Sequence, residues 1–277
     1  MTMLRQIFNF YINSSIHVAL AVVAMTWVSL VQFEIGYDKN VLVFVFFATI
    51  TGYNFVKYFG VAKFHHRSLA AWLKAIQIFS FFAFLGMCYY TLKLNLNSLI
   101  YLAVFGVITF LYAIPLLPMR YFRDSQKNLR QVSGLKVYVI ALVWVFTTVF
   151  LPLIENGYHI NNDVVITGVQ RFVFVIVLML PFEIRDLIYD SIKLATIPQQ
   201  IGVRNTKIIG ILLLVLFFLL EFFKDDVERF DIISNVVMLI TTLCFVLFAH
   251  KKQSQYYSAF WVESLPILWL IVLLMLS

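Results

Sequence analysis

The stretch VVITGVQRFVFVIVLMLPFEIRDLIYDSIKLATIPQQIG, residues 164–202, decides how this chain is to be read. Its first half, 164–182, is an apolar run of the length that a helix needs to cross a hydrocarbon core of about 30 Å. Its second half turns polar, with Glu183, Asp186 and Asp190 at i, i+3 and i+7. Continued as a helix, that spacing sets three carboxylates on one face. The two halves together predict a membrane span that delivers a cluster of acids to one surface of the bilayer.

Apolar runs of similar length recur outward from this one, near 15–33, 40–59, 72–92, 97–118, 136–154, 206–223, 231–249 and 259–276. They predict an all-α, polytopic membrane protein with about nine transmembrane helices. Of the 277 residues, 62% are hydrophobic and 13% charged. Soluble domains carry roughly twice that charge, so water is excluded as the solvent of this fold. The gaps between runs are short and none resembles a linker, which predicts a single membrane domain over residues 1–277. A weak repeat divides it into two four-helix halves plus a final helix. The second and sixth helices end in GYNFVKYFGVAKFHHR (52–67) and PFEIRDLIYDSIKLATIP (181–198), each followed by a basic connection. Such paired interruptions are where a membrane protein builds a shared site. The N-terminal MTMLRQIFNFYINSS shows no cleavage pattern, so Met1 is expected to be retained. Cys88 and Cys244 each sit inside an apolar run and read as buried core thiols.

The connections alternate in charge. One set carries Arg5, then Lys57, Lys63, Arg67 and Lys74, then Arg120, Arg123, Lys127, Arg130 and Lys136, then Arg185, Lys193, Arg204 and Lys207, and finally Lys251 and Lys252. The other set carries only Lys39, Lys93, Lys224 and Arg229, beside Asp38, Glu155, Asp163, Asp225 and Asp226. Short loops rich in Lys and Arg stay in the cytoplasm. The N-terminus is therefore expected inside and the C-terminus outside, in the cytoplasmic (inner) membrane. The net charge of +7 follows from this topology, and no nucleic-acid partner is needed to explain it.

Clustered acids at a membrane helix end repel one another unless a cation satisfies them. Carboxylates of this kind suit Mg²⁺, which binds one or two of them together with phosphate oxygens. The spacing equally suits a solvated helix end neutralised by Arg185 and Lys193.

The string EIRDLIYDSIKLATIPQQIG (183–202) resembles the second aspartate-rich motif of the UbiA superfamily of intramembrane prenyltransferases. Arg185, Asp186, Asp190, Thr196, Pro198 and Gly202 match it, while Leu194 replaces the usual glycine and Ile197 the usual leucine. The segment LYAIPLLPMRYFRDSQKNLRQVSGLKVYVIALVW (111–144) is also similar, through Tyr112, Arg120, Lys136 and Trp144. The first motif departs from the family pattern: Asn54 is kept, but Phe55, Tyr58 and Ala62 stand where the family has acids. Neither Phe, Tyr nor Ala supplies carboxylate charge. Lys57, Lys63, His65, His66 and Arg67 lie beside it, either as direct phosphate ligands or as contacts to anionic lipid headgroups.

The resemblance implies transfer of a prenyl group from an isoprenoid diphosphate to an aromatic or lipid-like acceptor. Asp186, Asp190 and Glu183 would hold Mg²⁺, Asp186, Asp190 and Lys136 would be catalytic, and Asn54, Lys57, Arg120 and Arg185 would bind the diphosphate. The lost acids leave open a second reading, a UbiA-like lipid-binding subunit or scaffold with protein partners and no catalysis. A transporter is the weaker third reading, with the spans taken as free of deep midplane charge and of Gly/Pro-broken helix pairs. Asn13 and His17, one turn apart, either line a pocket or form an interhelical hydrogen bond. Glu263, near the start of the last helix, is a further site candidate at the cytoplasmic interface.

Overall fold

The computed structural model describes residues 3–58, 71–113, 135–188 and 196–277, with side chains at all of these except 71, 108–113 and 135. The described residues are almost entirely helical and contain no strand. In chain order the helices are α1 (Met3–Asn13), α2 (Ile16–Gln32), α3 (Lys39–Tyr58), α4 (Ala71–Thr91), α5 (Leu96–Ala113), α6 (Leu135–Val145), α7 (Leu151–Glu155), α8 (Asn162–Asp186), α9 (Ile197–Leu219), α10 (Arg229–Phe248) and α11 (Leu265–Leu276). A π-helical segment, Phe146–Phe150, joins α6 to α7, and a second, Tyr257–Val262, leads into α11.

Among the described residues, seven helices or helix pairs are long and apolar enough to span a bilayer. The bent pair α1–α2 makes an eighth if it is one span, and the apolar stretch of α5, Leu96–Val107, is shorter. With backbone groups satisfied within each helix, the outward faces remain apolar, as a hydrocarbon solvent requires. Phe82, Ile100, Leu212 and Ile240 are more than half exposed and would form an untenable patch in water. The protein is a polytopic membrane protein.

Short polar side chains set the helix ends. Asp38 Oδ1 accepts from the backbone N–H of Asn40 and Val41 at the start of α3, and Asn161 Oδ1 accepts from Val164 N at the start of α8. Between α1 and α2 the chain bends by 51° at Ser15, which adopts a left-handed conformation with φ 65°. α8 is the central helix, with Phe174, Val177, Leu180 and Ile184 fully buried in the bundle. One continuous apolar core joins α2, α3, α6, α8, α9, α10 and α11 around Met25, Phe44, Phe174, Phe217, Met238 and Trp269. Gly210 lets α9 approach α8 closely, since a Cβ there would come within 2.9 Å of Leu180.

Two expectations are corrected. Arg171, tenth of the 25 residues of α8, is a deep charge in the bundle and 1% exposed. Its Nη1 donates to the Met25 carbonyl (3.0 Å), its Nη2 to Ser29 Oγ (3.2 Å), and its guanidinium lies 4.9 Å from the Trp269 ring centroid. A backbone carbonyl and an aromatic face make that burial tolerable. Cys88 and Cys244 are free and exposed on the outer face rather than in the core. In a membrane protein an apolar run has an outward side as well as an inward one, and a thiol is compatible with either.

The end of the bundle that holds Asp38 and Asn161 is closed by buried polar pairs. Glu221 accepts from Gln170 and Asn235 and pairs with Lys224 at 2.9 Å, and Gln32 donates to Asp231 at 3.0 Å. Among the described residues, the opposite end, where α3 and α8 finish and α6 begins, is open.

Candidate functional site

The opening leads into a cavity of about 1550 Å³. Its lining on α3 runs from Lys57 down to Phe44, 14 residues or about 20 Å of helix, so it reaches through most of a bilayer's depth. The walls are apolar and aromatic, with Phe44, Phe84, Met87, Leu102, Trp144 and Leu178 contributed by five different helices. The mouth is charged. Lys57, Lys136, Arg185, Lys251 and Lys252 line it against two carboxylates, Asp186 and Glu263, so the field at the mouth attracts anions.

Lys57, Lys136, Arg185 and Asp186 are each held by a defined partner. Lys136, in the first turn of α6, places Nζ 3.0 Å from Glu183 Oε1 in the last turn of α8. Arg185 donates from Nε to Asp186 Oδ1 at 2.8 Å, with Nη2 also 2.8 Å from that oxygen, and from Nη1 to Ser258 Oγ at 2.8 Å. Lys57 Nζ donates to Ser15 Oγ at 2.9 Å. Deeper in the cavity Trp144 Nε1 donates to Tyr53 OH at 2.8 Å.

The expected site residues thus separate into four groups. Lys57, Lys136, Arg185 and Asp186 converge on the mouth. Glu183, 1% exposed, stands behind it as the counter-ion of Lys136 rather than as a free ligand. Asn54 does not reach the cavity. Its Nδ2 donates to the Ser14 carbonyl (2.9 Å) and to Ser80 Oγ (2.8 Å), and its Oδ1 accepts from Ser15 Oγ (2.8 Å). The amide that resembles a motif residue therefore ties α2, α3 and α4 together, and it is not placed to bind diphosphate. Asp190, Arg120, Lys63, His65, His66, Arg67, Ala62 and Lys193 lie outside the described residues.

Of the positions where the first motif's acids would stand, Phe55 lines the cavity and Tyr58 donates from its hydroxyl to the Asn13 carbonyl (2.9 Å). Asn13 lines the mouth, whereas His17 turns inward, bonded to Tyr11 OH (2.7 Å) and to the Phe260 carbonyl (2.9 Å). Among the described residues no three acid, His or Cys side chains gather as a metal site. Of the described members of the expected Mg²⁺ set, Glu183 and Asp186, it is Asp186 that lines the cavity.

Sequence reasoning missed Ser258, which anchors Arg185, and the cavity-lining Asn9 and Tyr256. Their only signal was polarity near a helix end, because they come from segments remote in sequence. The π-helical turn before α11 brings Ser258 and Glu263 to the mouth together, an irregularity that apolar periodicity does not announce.

No protein-family model matches the sequence, and no curated protein matches it. A solved structure does: that of a digeranylgeranylglyceryl phosphate synthase, a UbiA-superfamily prenyltransferase studied in membranes. It is 14% identical, with a TM-score of 0.56 over 98% of this chain and 97% of that one. At that identity the likeness is one of fold, and the chain has a UbiA-like helical fold.

Proposed function

We propose that this protein is an intramembrane prenyltransferase that takes an isoprenoid diphosphate as donor. The single observation that carries the reading is the cavity. It combines a cationic mouth around Lys57, Lys136 and Arg185 with an apolar shaft long enough for a prenyl chain. In this reading the diphosphate sits at the mouth, where the three cations neutralise the charge that develops as it departs. The shaft excludes water from the allylic carbon, and the faces of Trp144 and its aromatic neighbours stabilise positive charge there. Glu183 keeps Lys136 aimed, and Ser258 does the same for Arg185. Asp186, with Asp190, would hold Mg²⁺, which supplies further positive charge to the phosphate oxygens.

The mouth would face the cytoplasm, because Lys251, Lys252 and Lys136 surround it while Asp38, Glu155 and Asp163 mark the other end. A reporter fused after Ser277 is then expected to score as extracytoplasmic.

One observation favours the second reading, a lipid-binding scaffold without catalysis: Asn54, the remaining residue of the first motif, serves helix packing. Purified protein in lipid nanodiscs with geranylgeranyl diphosphate and Mg²⁺ decides between them. Saturable binding with pyrophosphate release that is lost in Arg185→Ala supports the enzyme. Absence of both, or release indifferent to Arg185→Ala and Asp186→Ala, supports the scaffold.

A further inference from the structure

The apolar side of α1 runs past the edge of the bundle. With the helical period, Met3, Leu4, Ile7, Phe8, Phe10 and Tyr11 share one side of this helix, and Arg5, Gln6, Asn9 and Asn13 share the other. The inner part of the apolar side is seated on protein. The Phe8 ring lies 5.2 Å from that of Phe260, Phe10 lies 5.8 Å from Phe79 on α4, and the Tyr11 hydroxyl bonds His17. The outer part is not seated. Met3, Leu4 and Ile7 continue the same side toward the N-terminus, and among the described residues each is more than half exposed. On the polar side Asn9 and Asn13 line the cavity mouth, while Arg5 and Gln6 are exposed.

The elbow between α1 and α2 fixes this placement. α2 alone has 17 residues, enough to cross a bilayer, and α1 departs from its axis by 51°. Three side chains of α3 hold the turn: Tyr58 donates to the Asn13 carbonyl, Asn54 to the Ser14 carbonyl and Lys57 to Ser15 Oγ. The apolar side of α1 is thereby set against the ends of α4 and of the segment before α11, where the outer surface of α4 exposes Trp72 and Ile78 to lipid. Charge names the kind of lipid. Arg5 is the one charged residue of α1. Among the described residues this end of the bundle exposes Arg5, Lys74, Arg204, Lys251 and Lys252, and no acidic side chain.

We infer that α1 is no part of a span but an interfacial helix that docks on anionic phospholipid. Met3, Leu4 and Ile7 enter the boundary of the acyl chains, and Arg5 meets the headgroups. The same helix is one wall of the cavity mouth, where Asn9 Oδ1 accepts from Tyr256 OH at 2.6 Å. Lipid that seats the outer half of α1 therefore steadies the mouth through its inner half. The inference needs neither a diphosphate nor prenyl transfer.

The test reads α1 in the full chain, in nanodiscs of phosphatidylcholine with and without phosphatidylglycerol. In a Cys88→Ser, Cys244→Ser background, Leu4→Cys, Ile7→Cys and Gln6→Cys each carry one spin label; the three positions are exposed, so the bundle keeps its packing. In discs with phosphatidylglycerol the labels at 4 and 7 are expected to relax mainly with oxygen, which partitions into lipid, and the label at 6 with a water-soluble nickel chelate. Hydrogen exchange of unlabelled protein is the second readout. Protection of the α1 amides is expected to rise about fivefold when phosphatidylglycerol is present, from one arginine at an anionic surface, and the rise is expected to vanish in Arg5→Gln. Labels at 4 and 7 that relax mainly with the nickel chelate overturn the inference, because that side then faces water or a soluble protein. Equal protection in the two lipids overturns it as well, as does a rise that survives in Arg5→Gln. Neither readout uses a prenyl donor, so failure here is distinguishable from failure of the prenyltransferase reading.

Discussion

The ammonium of Lys136 lies 3.0 Å from a carboxylate oxygen of Glu183, a side chain only 1% exposed. This pair joins the first turn of α6 to the last turn of α8 across the cavity mouth, and it gives Glu183 a different task from the one its spacing suggested. The acid fixes a cation, and the cation faces the cavity.

Removing Lys136 strands a buried carboxylate. Lys136→Met is expected to cost about 3 kcal/mol of stability, read from thermal unfolding in detergent. Lys136→Met combined with Glu183→Leu is expected to recover most of that stability, since the uncompensated charge is gone. Geranylgeranyl diphosphate binding is expected to stay weak in both, because the cation is missing from the mouth.

Asn54 separates packing from ligand binding. Its three hydrogen bonds reach Ser14, Ser15 and Ser80. Asn54→Ala is expected to lower stability by about 2–3 kcal/mol, through lost bonds and unsatisfied partners. In the variant that remains folded, the affinity for geranylgeranyl diphosphate is expected to stay within about twofold of the parent, about 0.4 kcal/mol. A selective loss of affinity would return Asn54 to the ligand site.

Gly202 breaks α9 with φ 79°, a conformation that a Cβ disfavours, although no atom stands within 4 Å of where that Cβ would be. Gly202→Ala is therefore expected to cost about 1–2 kcal/mol through the backbone alone. Thermal unfolding would show the shift, and a neutral result would mean that the break does not need a glycine.

Met87 lines the shaft toward the far end of α4, one turn before Thr91, whose hydroxyl donates to the Met87 carbonyl (2.8 Å). Met87→Trp is expected to shorten the shaft. Competition between geranyl and geranylgeranyl diphosphate should then shift toward the shorter donor by about tenfold, with binding of the geranyl compound little changed. An equal loss for both donors would place the prenyl chain elsewhere.

The architecture was legible because a bilayer imposes a simple rule: about 20 apolar residues, then a turn. Among the described residues, helices lie at the predicted spans, seven or eight of them long and apolar enough to cross a bilayer, and α8 ends at Asp186 with Arg185 and Asp186 at the cavity. Arg171 was misjudged because its tolerance depends on the Met25 carbonyl and the Trp269 ring, partners far away in sequence. Cys88 and Cys244 were misplaced because hydropathy does not say which side of a lipid-exposed helix faces inward.

By itself the sequence determined the solvent, the helices and the clustering of cations at one end, since each depends on residues close together in the chain. Only the tertiary structure decided which polar groups face the cavity and which are occupied in holding it together. Asn54 and Glu263 show why. Both are polar residues near a helix end, but the distant partners Ser14, Ser15 and Ser80 satisfy the first, while the bonds of Lys57 and Arg185 to other groups leave the second unpaired. Hydrogen-bond satisfaction is a property of the assembled bundle, and it is what separates a structural amide from a carboxylate left unpaired at the cavity.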